Sequence, residues 1–341
     1  MSKLTIALDI MGGDHGPPVI LSAAVKAIQL HPDVNFALCG DETVIGNGLS
    51  SLSSQERTRV CVYHCDQVVE MGEVPTSALR NKKRSSMRKV VELVKQGDAN
   101  ACVSAGNTGA LLTLSFYLLK TLSGIDRPAL INMMPTTSHH NVFLLDLGAN
   151  VNCTPEILFQ YGVMGSVLAQ EVSGIASPRV ALLNVGEEDI KGNAQVKSAD
   201  QLFKDAPGIN YIGYVEGDDI FTDHADVVVT DGFTGNVALK SSEGLAKLVI
   251  NEVKRQSQRN LYTRILAKIA FPLLKSIYNS VNPDQYNGAS LIGLRGIVIK
   301  SHGNASKDAF YYAIVQAMNE AKMQVPDKIK TKIETVLLEQ L

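Results

Sequence analysis

Two short segments of the sequence share a pattern of glycine and hydroxyl residues that is typical of anion binding. Residues 104–109 and 230–235 each follow a short apolar run and carry these residue types at identical spacing. The shared positions are Ser104, Gly106, Thr108 and Gly109 in the first segment and Thr230, Gly232, Thr234 and Gly235 in the second. Glycine lets a ligand oxygen approach backbone N–H groups, and a helix N-terminus adds unpaired donors and a positive dipole end. One copy could be an ordinary threonine helix cap, whereas two copies favour anion sites, most simply for phosphate.

Three further polar clusters follow apolar runs that read as strands, at residues 9–17, 146–150 and 186–193. Candidate supporting residues here and beside the second anion segment are Asp9, Gly12, Gly13, Asp14, Asp146, Asn150 and Asp231. Because ligands of parallel sheets bind outside the carboxyl ends of the strands, the five polar segments predict one shared pocket lined by loops. The four aspartates could hold Mg²⁺, or they could fix the loops by accepting backbone hydrogen bonds. We favour the second role and expect no metal.

The sequence lacks the motifs of several large enzyme classes. There is no Gly-x-x-x-x-Gly-Lys-[Ser/Thr] P-loop, and no Gly-x-Gly-x-x-Gly follows a predicted strand. A Gly-x-Ser-x-Gly elbow and a His-Glu-x-x-His pair are also absent. These absences disfavour P-loop ATPases, dinucleotide-dependent enzymes, serine hydrolases and zinc peptidases, and we expect no cofactor.

Charge and composition limit the classes of partner. The 341 residues include 32 Lys+Arg and 34 Asp+Glu, for a net charge of −2. This balance removes the basic field expected of a nucleic-acid-binding protein, and we expect no nucleic acid partner. The N-terminus has no signal-peptide pattern, and the longest apolar run, near residues 111–119, is too short to span a membrane. We therefore expect a cytoplasmic protein.

Short apolar runs that read as strands alternate with segments of helical period along most of the chain. Predicted strands cover residues 4–8, 35–39, 101–104, 129–133, 142–145, 180–184, 210–214, 227–230 and 296–300, and predicted helices cover 17–30, 85–95, 109–122, 155–170, 193–203, 235–256 and 306–322. This alternation predicts an α/β fold with a mainly parallel sheet and helices on both faces. Residues 129–133 and 142–145 have no helix between them and predict an antiparallel hairpin. No linker divides the chain, so we expect a single two-lobed α/β catalytic unit over residues 1–341.

Residues 251–285 form a basic, amphipathic segment. Between Glu252 and Asp284 the sequence has no acidic residue, and Pro272 interrupts its helical pattern. The apolar side includes Leu261, Ile265, Leu266, Ile269 and Leu273. Such a helix is typical of membrane interfaces, although a helix pair packed into a dimer interface requires the same apolar face. We predict a protruding helical hairpin and favour membrane contact.

Eight blocks of the sequence, taken in order, resemble the bacterial phosphate:acyl-ACP acyltransferase (PlsX) family. The blocks are residues 9–17, 70–75 with 78–80, 104–111, 127–129, 145–150, 183–188 with 191–193, 226–237 and 286–303. Each block alone is weak, but their ordered combination is specific and covers nearly the whole chain. The resemblance implies a homodimer with an isocitrate/isopropylmalate-dehydrogenase-like α/β fold, which phosphotransacetylases share.

The resemblance also implies an activity and a set of partners. The activity is transfer of a long-chain fatty acyl group from acyl carrier protein to inorganic phosphate, forming acyl phosphate for phospholipid synthesis. The product would be the substrate of a membrane glycerol-3-phosphate acyltransferase. The resemblance therefore also implies that the protein associates peripherally with the inner face of the cell membrane. Residues 80–89, with six cations and no acid, would then be a docking patch for the acidic carrier protein, although such a run is often only a solvated face.

The residues of the polar clusters suit this chemistry. Phosphate is itself an anionic nucleophile, so the enzyme needs orientation and oxyanion stabilisation rather than a covalent nucleophile. The candidates for holding phosphate are Ser104, Gly106, Asn107, Thr108 and Gly109. We expect Lys191 to neutralise phosphate or the oxyanion, Asn236 to donate its amide to the carbonyl oxygen, and His302 to protonate the departing thiolate.

Two alternatives stay open at this point. One is a Mg²⁺- and NAD-dependent decarboxylating dehydrogenase of the same fold, against which the weak dinucleotide signal counts. The other is a non-catalytic scaffold that recruits a membrane acyltransferase. Phosphate-dependent release of thiol from a loaded carrier protein separates both from the acyltransferase.

Overall fold

The computed structural model describes residues 3–138, 140–280 and 283–339, and strands and helices alternate along them as the sequence predicts. The strands are β1 (Leu4–Asp9), β2 (Val34–Gly40), β3 (Val60–His64), β4 (Ala101–Ser104), β5 (Ala129–Pro135), β6 (Asn141–Leu145), β7 (Val180–Leu183), β8 (Tyr211–Val215), β9 (Val227–Val229), β10 (Ala289–Ile292) and β11 (Ile297–Lys300). The helices are α1 (Pro17–Leu30), α2 (Glu42–Gly48), α3 (Ser54–Arg57), α4 (Pro75–Asn81), α5 (Ser86–Gln96), α6 (Thr108–Leu119), α7 (Pro155–Ser173), α8 (Ala194–Lys204), α9 (Gly232–Ser257), α10 (Leu261–Ile269), α11 (Phe271–Ser280), α12 (Lys307–Met323) and α13 (Val325–Glu339).

All eleven strands belong to one sheet, in the order β3-β2-β1-β4-β11-β10-β5-β6-β9-β7-β8. The first five strands in that order are parallel to one another. β10 is antiparallel to both β11 and β5, and β6 is antiparallel to β5. The last four strands, β6, β9, β7 and β8, are again parallel to one another. The mainly parallel α/β fold is therefore confirmed, and so is the hairpin formed by β5 and β6.

The three antiparallel pairings have a consequence that the alternation of elements did not reveal. Each of β10, β5 and β6 runs opposite to the strand before it in the sheet. Three such changes leave β6 and the strands beyond it running opposite to the first five strands. The carboxyl ends of β1, β4 and β11 thus lie at one edge of the sheet, and those of β6, β7 and β9 lie at the other. The polar segments predicted for one pocket fall into two groups at opposite edges. The four-residue β10 was missed from the sequence, and it is one of the strands that create the reversal.

The period of two along each strand divides the core between the two faces of the sheet. In β1, Ile6 and Leu8 pack with α1 and α12, whereas Ala7 faces the other side, with α5 and α6. The core that contains Ala7 continues across both halves of that face, to Leu144 and Val228. On the opposite face, the second half of the sheet has a separate core with α7, α8 and α13. Helices cover both faces, as predicted.

The helix starts that shape the loops follow local sequence rules. Thr154 caps α7 by accepting the N–H of Ile157, and Pro155 takes the first helical position, where no N–H donor is needed. Ser306 caps α12 in the same way through the N–H of Ala309. These starts fall within one residue of the predicted ones, because both depend on residues that are adjacent in the chain.

Residues 251–285 are helical over most of their length. They begin inside α9, which ends at Ser257, and continue as α10 and α11; residues 281–282 lie outside the described residues. No side chain of α10 is buried. The protruding hairpin and the two-lobed organisation of residues 1–341 stay predictions. None of the helices in the described part of the chain is both long enough and apolar enough to cross a membrane.

A buried glutamate links α12 to the centre of the sheet and gives a stability prediction. Glu320 accepts hydrogen bonds from Ser290 Oγ on β10 and from Gln316 Nε2 at 2.7 Å. Burial raises the pKa of Glu320 to about 7, and the two hydrogen bonds only partly oppose this shift. The folded protein therefore holds this proton more tightly than the unfolded chain does. Its contribution to stability is fully present below the unfolded pKa and is lost as pH rises through 7.

We expect Glu320→Gln to remove that pH dependence. Between about pH 4.5 and 7 the free energy of unfolding of the wild type should fall relative to the variant, by on the order of 3 kcal/mol. Urea denaturation at several pH values measures the difference. Glu334→Gln, on the exposed side of α13, is the matched control and should follow the wild type. Parallel pH curves for wild type and Glu320→Gln would contradict the prediction.

Candidate active site

The loops after β1, β4 and β11 meet at one edge of the sheet. The N–H of Asp14 donates to the carbonyl oxygen of Gly303 at 2.7 Å. A side chain at Gly12 would place its Cβ 2.8 Å from the backbone nitrogen of Gly106, and one at Gly13 would lie 3.0 Å from the oxygen of Gly303. These approaches require glycine, and Gly13 also has a φ of 87°. The structure therefore brings these predicted residues together with the first anion segment.

The buried Ser104 side chain holds the turn of the first anion segment, residues 104–109. Its hydroxyl donates to Asp9 Oδ2 at 2.6 Å and accepts the N–H of Gly106 at 3.1 Å. Both side chains are buried, and burial raises the pKa of Asp9 although the Ser104 hydrogen bond opposes the shift. The other carboxylate oxygen of Asp9, Oδ1, has no hydrogen-bond partner among the described residues. The Ser104 hydroxyl is thus used inside the turn, rather than being presented to a phosphate as predicted.

Asn107 is also occupied by the protein itself. Its Oδ1 accepts the N–H of Ala110 and caps α6, as an N-cap residue does. Its Nδ2 donates to the carbonyl oxygens of Met71 at 2.7 Å and Glu73 at 3.0 Å, which ties residues 70–74 to the start of the helix. The side chain predicted to bind phosphate therefore organises the loops around it.

The donors left for an anion are at the first turn of α6. Thr108 and Gly109 are the first two helical residues, so their N–H groups have no acceptor within the helix. Thr108 is exposed, and its hydroxyl forms no hydrogen bond to the residues that the structure describes. Gly109 packs against Pro75 of α4, where a Cβ would lie 2.8 Å from the proline ring. Of the five predicted phosphate ligands, these two offer free donors from within the first turn of the helix.

Lys300 is a residue of this group that sequence reasoning missed. It ends β11 and is only 7% exposed. Its Nζ donates to the carbonyl oxygen of Ala105 at 3.4 Å and to that of Ser301. Burial lowers the pKa of Lys300 to about 8, while the nearby Asp14 and Asp9 carboxylates oppose this shift. The available signal was a lysine that directly ends an apolar strand, immediately before Ser301-His302-Gly303.

The second group of loops follows β6 and β9 at the opposite edge of the sheet. The buried Asp146 carboxylate accepts the N–H groups of Leu130, Ala149 and Asn150 at 2.7–3.0 Å. Burial raises its pKa, and these hydrogen bonds partly offset the increase. Its oxygens are thus engaged in fixing the loop, the role that we favoured over binding Mg²⁺. Asn150 continues the network by donating to the Tyr161 hydroxyl at 2.7 Å.

Tight backbone contacts attach the start of α9 to this loop. The N–H of Gly232 donates to the oxygen of Asn150 at 2.8 Å. A Cβ on Gly235 would lie 2.1 Å from the oxygen of Asp146, so only glycine fits. Asn236, the next residue, lies against Gly148 and is exposed. Its amide forms no hydrogen bond to other described residues and is free for a ligand.

The two segments of identical spacing are not equivalent in three dimensions. Thr108 is the first residue of α6, whereas Thr234 is the third residue of α9, because α9 begins at Gly232. Asp231 caps α9, and its carboxylate accepts the N–H of Thr234 at 2.7 Å. The N-terminus of α9 therefore already holds an anion, which is part of the chain. Free donors for a phosphate are found at α6.

Helix α9 joins the two groups of loops. Two turns beyond its start, Lys240 Nζ lies 3.3 Å from His302 Nε2 and 2.9 Å from Glu243 Oε2. Asn236 and Lys240 are one turn apart, about 6 Å along the axis and about 40° around it. Asn236 of the second group therefore lies one turn of α9 away from Lys240, which contacts His302 of the first group. Helix α9 therefore extends from the second group of loops to the first.

The surroundings of His302 disfavour the protonated imidazole. Partial burial, followed by the neighbouring Lys240, lowers the pKa of His302 below its usual value, although Glu243 opposes the shift. The lowered pKa favours the neutral ring, which weakens His302 as a resting proton donor. Lys240 donates toward the ring and is the cation closest to it.

Lys191 lies in the loop between β7 and α8. Its backbone N–H donates to Glu188, its side chain lies beside Gly186, and Gly192 adopts a φ of 88° against Asn184. The lysine is exposed, and its ammonium forms no ion pair with the described residues. Since β7 and β9 are parallel neighbours, this loop is at the same edge as the start of α9. No hydrogen bond between Lys191 and another predicted site residue occurs in the described ranges.

The only group of three potential metal ligands among the described residues lies beside this loop. Glu187, Asp219 and His224 have ligand atoms within 4.8 Å of one another. They are exposed or half-exposed, and Asp219 pairs with His224 at 3.6 Å. None of the four aspartates considered for Mg²⁺ belongs to this group.

Solved structures with the same arrangement of elements define the class of fold. A phosphotransacetylase from Streptococcus pyogenes superimposes with a TM-score of 0.62 at 17% identity, covering 94% of each chain. A branched-chain phosphotransacylase from Enterococcus faecalis V583 gives 0.58 at 15% identity, covering 93% of this chain and 99% of its own. A putative 4-hydroxythreonine-4-phosphate dehydrogenase from Salmonella typhimurium gives 0.54 at 14% identity, with 94% and 99% covered. The fold is thus one that phosphotransacylases and dehydrogenases share, as the resemblance implied.

Sequence relatives are more specific than the fold. A phosphate acyltransferase of Pseudoalteromonas atlantica is 59% identical over 339 residues, which are 99% of both chains. A phosphate acyltransferase of Shewanella sp. (strain W3-18-1) is 52% identical over the same share. A family model described as "Fatty acid synthesis protein" matches residues 4–328, and the chain belongs to this family. The protein is therefore an acyltransferase, and these relatives do not favour the dehydrogenase alternative.

Asn107 offers a test of how the site is organised. Asn107→Asp keeps an oxygen that can cap α6 but loses both donors to residues 71 and 73. Asn107→Ala loses the cap as well. We expect Asn107→Asp to free residues 70–74 with little loss of helix stability, and Asn107→Ala to cost about 1 kcal/mol more.

Limited proteolysis of residues 70–74 and urea denaturation measure the two effects separately. Both variants should be cut faster than the wild type, and only Asn107→Ala should show the additional loss of stability. Equal protection of residues 70–74 in all three proteins would show that the Nδ2 hydrogen bonds do not hold the loop.

Proposed function

We propose that this acyltransferase transfers a long-chain fatty acyl group from acyl carrier protein to inorganic phosphate, forming acyl phosphate for phospholipid synthesis. The single observation that carries the proposal is the first turn of α6, where Thr108 and Gly109 present unused donors among glycine-lined loops. A helix N-terminus of this kind suits a phosphate. The relatives named phosphate acyltransferase support phosphate as the acceptor.

The reaction balances without a covalent enzyme intermediate. A phosphate oxygen attacks the thioester carbonyl, the C–O bond forms, and the C–S bond breaks to release a thiolate. A thiol has a pKa of about 8.5, so the thiolate is an adequate leaving group and takes up a proton after departure. The buried Ser104 hydroxyl is not needed as a nucleophile. The protein supplies orientation and charge stabilisation.

Three exposed side chains carry the remaining roles in this proposal. Asn236 donates its amide to the carbonyl oxygen as negative charge develops there, and Lys191 neutralises the phosphate or the oxyanion. Both are exposed and unpaired among the described residues, as a ligand-binding group must be. His302, once protonated, delivers the proton to the thiolate, and Lys240 Nζ lies 3.3 Å from its Nε2.

A carrier protein as acyl donor is supported by part of the cationic run at residues 80–89. Three of its cations are paired by the fold: Lys82 with Glu73, Arg84 with Asp66 and Arg88 with Glu92. The half-buried Lys89 lies over the Tyr63 ring, whereas Arg80 and Lys83 are exposed and form no ion pair with described residues. These two therefore provide the charge that an acidic carrier protein would meet, a smaller patch than the sequence suggested.

We propose a homodimer and a peripheral membrane contact built from neighbouring surfaces. Along α9, exposed apolar side chains include Val237, Leu245, Leu248, Val249 and Val253. Helix α10 and the start of α11 expose Leu261, Ile265, Leu266, Ile269 and Leu273 beside the basic residues of that segment. We assign the α9 stripe to the dimer and the α10–α11 surface to the membrane, because α10 and α11 carry cations and no acidic residue, whereas Glu243 and Glu252 accompany the cations of α9. The protein would then be cytoplasmic, at the inner face of the membrane, where a glycerol-3-phosphate acyltransferase would take the product.

Phosphate-dependent thiol release tests the activity. Palmitoyl-acyl carrier protein incubated with the protein should release free thiol and form acyl phosphate only when phosphate is present. Lys191→Ala and Asn236→Ala should each lower the rate by on the order of 10²–10³, since each removes a group that stabilises developing charge. Lys322→Ala, an exposed lysine at the end of α12, is the control and should remain active.

The donor and the alternatives are decided in the same assay. Palmitoyl-coenzyme A should be a much poorer donor than the loaded carrier protein. Equal rates with both donors would remove the carrier-protein claim. Absence of thiol release from either donor would leave the scaffold alternative in its place.

Vesicle flotation and sedimentation together separate membrane contact from dimer formation. Burying one leucine is worth about 1.5–3 kcal/mol, so Leu266→Glu should weaken binding to anionic phosphatidylglycerol vesicles by about tenfold or more while remaining dimeric. Leu248→Glu, 64% exposed on α9, should dissociate the dimer. Leu30→Glu, 57% exposed on α1, should change neither property. If Leu266→Glu floats like the wild type, α10 is not the membrane contact.

A further inference from the structure

A single peptide group in the turn before α6 is held on both of its sides. Its carbonyl, that of Ala105, accepts from the buried Lys300 Nζ at 3.4 Å. Its N–H, that of Gly106, donates to Ser104 Oγ at 3.1 Å, and Ser104 is anchored to Asp9 at 2.6 Å. The orientation of this peptide therefore depends on two strands besides its own, β11 through Lys300 and β1 through Asp9.

We propose that Lys300 is a positioning residue for the phosphate substrate: it fixes the Ala105–Gly106 peptide so that the first turn of α6 faces the bound phosphate. The inference rests on the proposed function and adds a residue to it. Asn107 and Thr108 follow the held peptide directly, so a rotation of the peptide would redirect the donors of Thr108 and Gly109. Displacing a reacting group by about 1 Å can lower a rate on the order of 10²-fold, which makes such a fixed peptide important.

Space and chemistry both favour a lysine that acts on the turn rather than on the substrate. Lys300 is almost fully buried beneath the turn, whereas Thr108 is exposed on its outer side. A Cβ on Gly106 would lie 2.4 Å from Met87 Cε, so the turn is packed closely against α5 as well. The ammonium donates to two backbone carbonyl oxygens, those of Ala105 and Ser301, and thereby ties the turn to the loop that carries His302.

The charged groups that face Lys300 come from three other parts of the fold. Asp9 at the end of β1 and Asp14 in the following loop attract its charge, whereas Lys240 on α9 opposes it. His302, two residues along the chain, is also close enough to sense this charge. Burial lowers the pKa of Lys300 to about 8, so the ammonium is lost within the range over which an enzyme can be assayed.

Lys300→Met tests the proposal, because methionine keeps an apolar stem and removes the donor. At pH 7 we expect KM for phosphate to rise about tenfold or more, with a much smaller change in kcat and in KM for the acyl donor. Lys322→Met is the matched control and should change none of these values. The lowered pKa means that the buried charge opposes folding, so Lys300→Met should retain its melting temperature, which circular dichroism checks.

Two further measurements distinguish positioning from general stability. In the wild type, KM for phosphate should rise as pH increases through about 8, and the ratio of the variant's KM to that of the wild type should fall toward one. Ionisation of phosphate itself cancels in this ratio. Ser104→Ala acts on the same peptide, so its effect on KM for phosphate should combine with that of Lys300→Met less than additively.

The outcomes separate this inference from the proposed function. A wild type without phosphate-dependent thiol release contradicts the function, whatever Lys300 does. An active wild type with no change of the KM ratio near pH 8, or an active Lys300→Met with unchanged KM for phosphate, overturns the positioning role. The pH profile of the wild type keeps the test valid should Lys300→Met fail to fold, because an unchanged KM across pH 8 also contradicts the inference.

Discussion

Strand direction reverses across the centre of the sheet, and this reversal decides where each polar loop can lie. Short antiparallel pairings at β10, β5 and β6 turn the last four strands opposite to the first five. The carboxyl ends of the two sets of strands consequently face opposite edges. A site that uses both sets needs an element that crosses from one to the other, and α9 does so, from Asn236 at its start to Lys240 beside His302. The first nine residues of α9, from Gly232 to Lys240, make this crossing.

Buried carboxylates shape the site without being its ligands. Asp9 and Asp146 each lie at the end of a central strand. Asp9 accepts a hydrogen bond from Ser104 at the end of β4, and Asp146 accepts the N–H groups of the loop that follows it. Taking a carboxylate out of water opposes its charge, so the pKa of each is raised, and the hydrogen bonds recover only part of the lost solvation. These hydrogen bonds are made within the protein, and the N–H groups at the start of α6 stay free for an anion.

The distribution of positive charge suits the anionic phosphate that we propose as acceptor. Lys191 and Lys240 are exposed, whereas Lys300 is buried behind the turn that leads into α6. Exposed lysines can contact a substrate, whereas the buried Lys300 donates to backbone carbonyl oxygens and holds the turn. Charge stabilisation is strongest from groups that are already oriented. In the proposed mechanism the exposed lysines therefore supply charge, and Lys300 orients the backbone donors.

Local patterns in the sequence determined the elements and the glycine-rich turns, because helix caps, apolar periods and close approaches at glycine depend on residues near one another in the chain. They predicted the α/β class, the β5–β6 hairpin and the gathering of Gly12, Gly13 and Gly106. Tertiary structure decided which donors remain free: Ser104 and Asn107 are used internally, and the two segments of equal spacing start their helices at different positions. It alone placed Lys300 beneath the turn and reversed the second half of the sheet. Both outcomes depend on contacts between residues far apart in the chain, which no local pattern records.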